Sequence, residues 1–220
     1  MTRHRIAFGI LLADLVATAA LFSRLPGRVP IHWGLDGEAN GFGSRVELAL
    51  LAPALLALLW ALLAGLDRID PIASRPLDPD APPAERGAFA SLTLSLMALG
   101  AIAHVGLLLQ LAGLARLQAF GALFGPLILV VIGNFLPRVR PNYFAGMRTP
   151  WTLASATVWR RTNRLAGKLF FWGGLACAGR AFAPGRISGM ALLGVALVAS
   201  LAPVVASYVW WREEQRATRS

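Results

Sequence analysis

The stretch IAFGILLADLVATAALFS, residues 6–23, decides the fold class of this chain. Asp14 is its only charged residue, and its length approaches the ~20 apolar residues that a helix needs to cross a hydrocarbon core of ~30 Å. Arg3 and Arg5 precede it, as in a secretory signal peptide, but no small-residue cleavage pattern precedes Arg24. We therefore expect a retained transmembrane helix.

Five further apolar stretches have the same character. Prolines fall within three of the stretches, which helices in lipid tolerate because neighbouring helices satisfy the freed carbonyls. The fourth stretch is short and contains Asn134. The sequence thus predicts an all-α, polytopic membrane protein with about six transmembrane helices. The predicted spans are Ile6–Ser23, Val46–Leu66 with Pro53, Ala88–Leu111, Phe120–Leu136 with Pro126, Leu165–Ala183, and Ile187–Trp211 with Pro203.

The composition agrees with a membrane protein and argues against other classes. The 220 residues are 56% hydrophobic and only 15% charged. The net charge of +10 could indicate nucleic acid, but the basic residues lie between the apolar stretches rather than on one solvated face. One cysteine, Cys177, and three scattered histidines predict no intrachain disulfide, no metal site and no cofactor.

Lysine and arginine in the connections predict the orientation in the membrane, because these residues accumulate on the cytoplasmic side. With six spans, most of the 21 basic residues fall on the side of the N-terminus. Both termini are therefore predicted to be cytoplasmic. The six residues on the opposite side are Arg24, Arg28, Arg45, Arg116, Arg180 and Arg186.

The chain divides into three parts by composition. Residues 1–66 form an N-terminal membrane half, and residues 88–220 form a C-terminal membrane half with a basic cytoplasmic loop at 137–168. Residues 67–87 are rich in Pro, Asp and Arg without periodic apolar positions, which predicts a flexible cytoplasmic linker.

The outer loop, LPGRVPIHWGLDGEANGFGSR at residues 25–45, contains the first candidate site. Its Pro and Gly residues favour turns, and a His-Trp pair suits the headgroup zone of a bilayer. Two interpretations stay open, an interfacial anchor and a binding surface for a partner. A lone histidine in a loop is more often a hydrogen-bonding residue than a catalyst. The candidate binding residues are Pro30, His32, Trp33, Gly37 and Asn40.

The cytoplasmic loop contains the second candidate site, around NYFAGMRTPWT at residues 142–152. Thr149 followed by Pro150 is typical of an N-cap and a first helical position, so we predict a helix that starts here and runs past Trp159. The order of these residues is too particular for a generic basic loop. The candidate motif residues are Asn142, Tyr143, Gly146, Arg148, Thr149, Pro150, Trp151 and Trp159.

Three further basic residues of this loop, Arg160, Arg164 and Lys168, recur at four-residue spacing, which predicts one helical face. No acidic residue occurs between Arg86 and Arg212. Lipid phosphate or an acidic protein surface is therefore expected to neutralise these charges. The tendency of basic residues to lie in the cytoplasm explains the charges by itself, but not the motif before them.

The two loops together resemble the SdpI-type immunity protein family and the membrane domain of unknown function that forms its N-terminal half. The resemblance implies an immunity protein of the bacterial cytoplasmic membrane that protects against a secreted peptide toxin. The founding type also implies toxin sensing through a cytoplasmic repressor. Asn163 departs from the histidine frequent in the family, so no role of an ionisable group is transferred there. The resemblance rests on Pro30–Trp33, Gly37, Asn40 and Pro53, and on Asn142–Leu153, Val158–Trp159 and Arg164–Lys168.

Asp14 and His104 are candidate polar residues inside the membrane. A carboxylate at the centre of a bilayer costs about 2.5–3.5 kcal/mol on insertion scales, so Asp14 needs a partner or a proton. Thr18, four residues on, can donate a hydrogen bond, and His104 and Gln110 are other possible partners. Either an interhelical hydrogen bond or a proton or ligand site would explain them, and we favour the hydrogen bond.

The sequence leaves two functional hypotheses. The first is the non-enzymatic immunity or sensing protein, and the second is a small solute or proton transporter with Asp14 and His104 on its pathway. An enzyme is not expected, because the sequence contains no His-Glu-x-x-His motif, no paired intramembrane aspartates and no Gly-x-Ser-x-Gly elbow.

Overall fold

The computed structural model describes residues 2–34, 38–69, 88–115, 120–180 and 189–218. This part of the chain is mostly helical, as predicted, with one two-stranded sheet. The helices are α1 (Thr2–Leu21), α2 (Arg45–Ile69), α3 (Ala88–Leu111), α4 (Phe120–Phe135), α5 (Pro150–Ala154), α6 (Ala156–Arg180) and α7 (Gly189–Ala217), and the strands are β1 (Arg28–Trp33) and β2 (Ala39–Ser44).

Four helices are long and apolar enough to cross a membrane. The apolar helix at Leu123–Arg138 is shorter. These features identify a polytopic membrane protein, while the total of six spans stays a prediction. The four long segments are Arg3–Arg24, Arg45–Leu62, Ala90–Leu111 and Gly189–Ala217.

The predicted boundaries need three corrections. The fifth span begins inside a longer helix, because α6 already starts at Ala156. The helix that starts at Pro150 does not run past Trp159, since the extended residue Ser155 ends α5 and its hydroxyl accepts a hydrogen bond from the backbone N–H of Val158. Residues 67–69 of the predicted linker belong to α2, and residues 70–87 lie outside the described residues.

The helices pack in two groups that meet where α3 contacts α4. The first group is α1, α2 and α3, and the second is α4, α6 and α7. Helices α4 and α6 approach closely, because a Cβ on Gly133 would collide with the backbone nitrogen of Phe171 and one on Gly167 would be 2.8 Å from the carbonyl oxygen of Gly133. Glycine therefore lets these backbones touch, as in other membrane helix pairs.

The strands form an antiparallel hairpin at one end of the first group. Sequence analysis described this segment only as a loop with turns, so the paired strands are a correction. Val29 is fully buried and joins a core cluster with Leu25, Leu48 and Leu108. The cluster fixes the hairpin to the end of the group where α1 and α3 finish and α2 begins. We call this end of the molecule the hairpin end.

Candidate functional site

The hairpin brings two of the predicted binding residues together. His32 on β1 lies beside Asn40 on β2, and the imidazole Nδ1 is 2.5 Å from the amide Oδ1. Because Oδ1 accepts, Nδ1 carries the hydrogen and Nε2 remains an acceptor in the neutral ring. A Cβ on Gly41 would lie 2.8 Å from the Cβ of His32, so the position that pairs with His32 across the hairpin needs a glycine.

Aromatic side chains on the hairpin are exposed. Trp33 is 44% exposed and Phe42 is 49% exposed. The Arg28 guanidinium carbon lies 4.9 Å from the centre of the Phe42 ring, which is a cation–π geometry. Pro30 is only partly exposed within β1, and Gly37 lies outside the described residues. The hairpin thus exposes aromatic, cationic and hydrogen-bonding groups.

Local hydrogen bonds hold β2 against the start of α2. Ser44 and Glu47 form reciprocal bonds, in which the Ser44 hydroxyl accepts from the backbone N–H of Glu47 and the Glu47 carboxylate accepts from the backbone N–H of Ser44. This capping box satisfies free N–H groups at the helix start and fixes the angle between strand and helix. Sequence analysis did not single out Glu47, although the Ser-x-x-Glu spacing is visible in the sequence.

The cytoplasmic motif folds into a compact turn around Asn142, which is buried. Its amide nitrogen donates to the backbone carbonyls of Arg140 and Ala145, and its Oδ1 accepts from the backbone N–H groups of Phe144 and Ala145. The Arg148 guanidinium donates to the carbonyl of Tyr143 across the same turn. Asn142 is therefore a structural residue that holds the turn together.

Gly146 lies where this turn packs against α6. Its φ of +107° is a conformation that L side chains rarely adopt, and a Cβ would lie 2.8 Å from Asn163 Oδ1 and 2.9 Å from the Trp159 ring. Asn163 Oδ1 accepts from the backbone N–H of Met147, and the buried Trp159 indole donates to the carbonyl of Val139. The uncharged side chain of Asn163 thus has a structural role, because it holds the motif turn against α6. We call the end of the molecule that contains this turn the motif end.

The predicted helix start at Thr149 and Pro150 is confirmed. Thr149 is the N-cap, and it forms a capping box with Thr152. The Trp151 indole then donates to the hydroxyl of Ser207 at 2.6 Å, and its ring contacts Tyr208 edge-on at 5.3 Å between centroids. The motif therefore contacts α7 through a buried residue, Ser207, that sequence analysis did not identify.

Arg160, Arg164 and Lys168 lie on one exposed face of α6, as predicted. None of the three pairs with a carboxylate within the described ranges. The neighbouring Arg161 differs, because its guanidinium carbon lies 5.0 Å from the centre of the Trp210 ring on α7. This row of cations therefore starts beside the aromatic end of α7.

Asp14 and His104 meet between α1 and α3. Asp14 Oδ1 and Oδ2 lie 3.0 and 3.2 Å from His104 Nδ1, and both side chains are buried. Of the possible partners that the sequence left open, His104 is the one that contacts the Asp14 carboxylate, whereas Gln110 is exposed. Thr18 donates to the backbone carbonyl of Asp14 and not to the carboxylate. His104 Nε2 is buried with no hydrogen-bond partner among the described residues.

The described ranges hold no group of three or more His, Cys, Asp or Glu that could bind a metal ion. The two loop sites lie at the ends of different helices. The hairpin lies where α1 ends and α2 begins, and the motif lies where α4 ends and α6 begins. The helices between them place the Asp14–His104 contact inside the first group.

Comparison with known proteins assigns both regions to families. Residues 138–207 match the SdpI/YfhL protein family, and residues 9–57 match a domain of unknown function, DUF1648. The first match runs from the motif turn to Ser207, and the second contains the whole hairpin. The resemblance predicted from the sequence is therefore confirmed for these two domains.

One curated relative is similar over part of its length. The immunity protein SdpI of Bacillus subtilis (strain 168) is 31% identical over 87 residues, which are 40% of this chain and 42% of that protein. The similarity therefore covers less than half of the relative and indicates a distant relationship. No solved structure matches the chain.

Proposed function

We propose that this membrane protein, which carries an SdpI/YfhL family domain behind a DUF1648 domain, acts as an immunity or sensing protein in the bacterial cytoplasmic membrane. It protects against, or detects, a secreted antimicrobial peptide toxin, and it does so without catalysis. In this proposal the chain crosses the membrane six times with both termini in the cytoplasm. The hairpin then faces outward and the motif turn faces the cytoplasm.

The hairpin carries the proposal. Antimicrobial peptides are typically amphipathic and lie in the interfacial zone of the bilayer. The exposed rings of Trp33 and Phe42 suit the apolar side of such a peptide, while the free Nε2 of His32 offers a hydrogen-bond acceptor. The His32–Asn40 contact holds that nitrogen in place. The distant relationship to an immunity protein supports the same function.

The motif end is the proposed signalling surface. The turn around Asn142 and the contact between Trp151 and Ser207 tie α4, α5, α6 and α7 together. A displacement of these helices would therefore move the exposed residues Tyr143 and Phe144, which are 50% and 42% exposed. A cytoplasmic repressor that binds this surface would respond to that movement.

The experiment uses a strain in which the gene is deleted and then restored in different forms. The probe is concentrated culture supernatant from the parent strain, and the readout is survival. We expect the intact gene to restore resistance and the His32→Ala/Trp33→Ala variant to fail at equal membrane abundance. Arg24→Ala is the matched control, because Arg24 is exposed next to the hairpin but lies outside it. Full protection by the double variant would exclude the hairpin as the toxin site.

The second candidate function is transport of protons or a small solute, which the Asp14–His104 contact favours. A buried acid beside a buried imidazole is an arrangement that proton pathways use. His104 Nε2, which has no hydrogen-bond partner in the part of the chain that the structure describes, would be the next position on such a pathway. Vesicles that contain the purified protein and an internal pH-sensitive dye test this function. A proton flux that Asp14→Asn abolishes would favour transport over immunity.

A further inference from the structure

The outer surface of α6 and α7 forms an open groove of about 430 Å³. Gly173 of α6 and Gly194 of α7 both line the groove, and a Cβ on Gly194 would meet no atom within 4 Å, whereas one on Gly173 would meet Val195. Val195 and Val198 supply apolar walls, and Trp172, which is 64% exposed, forms one edge. Such a surface is apolar and open to the side, which suits part of a flexible hydrocarbon chain.

Lys168 stands at one end of this groove and is its only charged lining residue. Arg164 and Arg160 lie one and two turns before it on the same exposed face of α6, toward the motif end. No described carboxylate pairs with any of them. A cationic row therefore leads directly into an apolar groove.

Lys168 lies beside an apolar stretch of α7. Lys168 and Ala199 both line the groove, and Ala199 precedes Arg212 by thirteen residues, about 20 Å of helix. The surface of α7 over this interval is apolar, with Leu201 60% and Val205 67% exposed. Lys168 thus lies beside an apolar surface of α7, whereas Arg160 lies nearer the aromatic end of that helix.

Helix α4 becomes polar at the same level. Gly133 contacts Gly167, the residue before Lys168, and Asn134 then accepts a hydrogen bond from the Arg138 guanidinium. Toward the motif end, the apolar surface of α4 and α6 therefore ends before that of α7. Membrane proteins accommodate a cation beside an apolar surface by extending the side chain toward the interface or by drawing lipid headgroups inward.

We propose that the α6–α7 groove binds one anionic phospholipid. Lys168 and Arg164 hold its phosphate, and an acyl chain runs from Lys168 past Val198 to Gly194. Charge complementarity selects this occupant, because the groove joins unneutralised cations to an apolar channel and an anionic phospholipid carries the matching anion and hydrocarbon in one molecule. The site is independent of the toxin function and depends only on the membrane location of α6 and α7.

The test measures lipid retained by the purified full-length protein. The protein is exchanged into detergent micelles that contain equal amounts of dioleoyl phosphatidylglycerol and dioleoyl phosphatidylcholine, and native mass spectrometry counts the bound lipids. We expect preferential retention of phosphatidylglycerol by the intact protein. The Lys168→Gln variant should reduce that retention about fivefold, since each basic residue near an anionic lipid contributes by that order. Arg180→Gln is the control, because Arg180 is exposed on α6 but lies outside the groove.

A second variant tests the apolar part of the site. Gly194→Leu fills the groove, and a Cβ at this position meets no atom within 4 Å, so the fold should tolerate it. Gly179→Leu is the matched control on open surface outside the groove. We expect Gly194→Leu to lower lipid retention and Gly179→Leu to leave it unchanged. Equal retention of both lipids, or unchanged retention in Lys168→Gln and Gly194→Leu, would overturn the proposal. Loss of a protein dimer in Gly194→Leu without loss of lipid would instead identify a second copy as the occupant.

Discussion

Asp14 and His104 lie 90 positions apart in the sequence, yet the Asp14 carboxylate oxygen Oδ1 is 3.0 Å from the His104 imidazole nitrogen Nδ1 inside the bundle. This contact joins α1 to α3 at a point where no water-exposed surface is available to either group. A buried polar group without a partner is destabilising, so each residue depends on the other.

The first prediction concerns this dependence. Asp14→Leu alone and His104→Leu alone should each lower the free energy of unfolding by about 1–3 kcal/mol, because each leaves the other group buried without its partner. The double variant should lose less than the sum of the two, with a coupling of about 0.5–3 kcal/mol. Unfolding in mixed micelles measures all four proteins. Strict additivity would show that the two side chains do not interact.

The second prediction concerns the backbone at Gly146. Gly146→Ala should destabilise the protein by about 1–3 kcal/mol through backbone strain, with a further loss from contact with Asn163 and Trp159. Gly113 also has a positive φ of +73°, but a Cβ there meets nothing within 4 Å. Gly113→Ala should therefore be destabilised only by the backbone strain.

Thermal unfolding of the two variants and of Gly9→Ala gives the comparison. Gly9 lies in α1, where a Cβ also meets nothing within 4 Å, so the alanine should be tolerated. The expected order of melting temperature is Gly9→Ala highest and Gly146→Ala lowest. A Gly146→Ala protein as stable as Gly113→Ala would mean that the motif turn is not closely packed against α6.

The third prediction concerns the contact between α4 and α6. Gly167→Ala should lower the melting temperature, because its Cβ would lie 2.6 Å from Pro137 and 2.8 Å from the carbonyl of Gly133. Overpacking of this kind typically costs about 1–3 kcal/mol. Gly179→Ala on the same helix is the control, and it should melt as the parent does. If both variants melt alike, the two helices are not in close contact at Gly167.

The fourth prediction concerns the tautomer of His32. The bond to Asn40 should keep the hydrogen on Nδ1 of the neutral ring, and ¹⁵N NMR of the labelled imidazole reports its position. Asn40→Ala should remove that preference, because no acceptor remains beside Nδ1. The control variant Arg24→Ala should leave the spectrum unchanged. A neutral ring with its hydrogen on Nε2 in the parent protein would contradict the hydrogen bond as described.

Local patterns in the sequence predicted much of the fold. The hydropathy of Ile6–Ser23 predicted α1 because crossing a bilayer requires a continuous apolar stretch, whatever the rest of the chain does. Thr149 and Pro150 predicted the start of α5 because a cap involves only residues within one helical turn. The spacing of Arg160, Arg164 and Lys168 predicted their shared face for the same reason.

The sequence was less informative where the outcome depends on a neighbouring segment. The helix predicted from Pro150 past Trp159 is interrupted at Ser155, since Trp151 contacts Ser207 while Trp159 bonds to Val139. The hairpin was missed because proline and glycine weaken the strand pattern, and burial of Val29 by the ends of α1, α2 and α3 stabilises the strands.

The sequence by itself determined that this chain is a helical membrane protein with two motif segments, because hydropathy, caps and helical spacing act over a few residues to one membrane thickness. Only the tertiary structure decided which groups meet. It paired His32 with Asn40, joined Asp14 to His104 and placed Lys168 at the end of an apolar groove. The physical reason is that such contacts depend on how helices and strands rotate and pack against one another, and no local pattern fixes that packing.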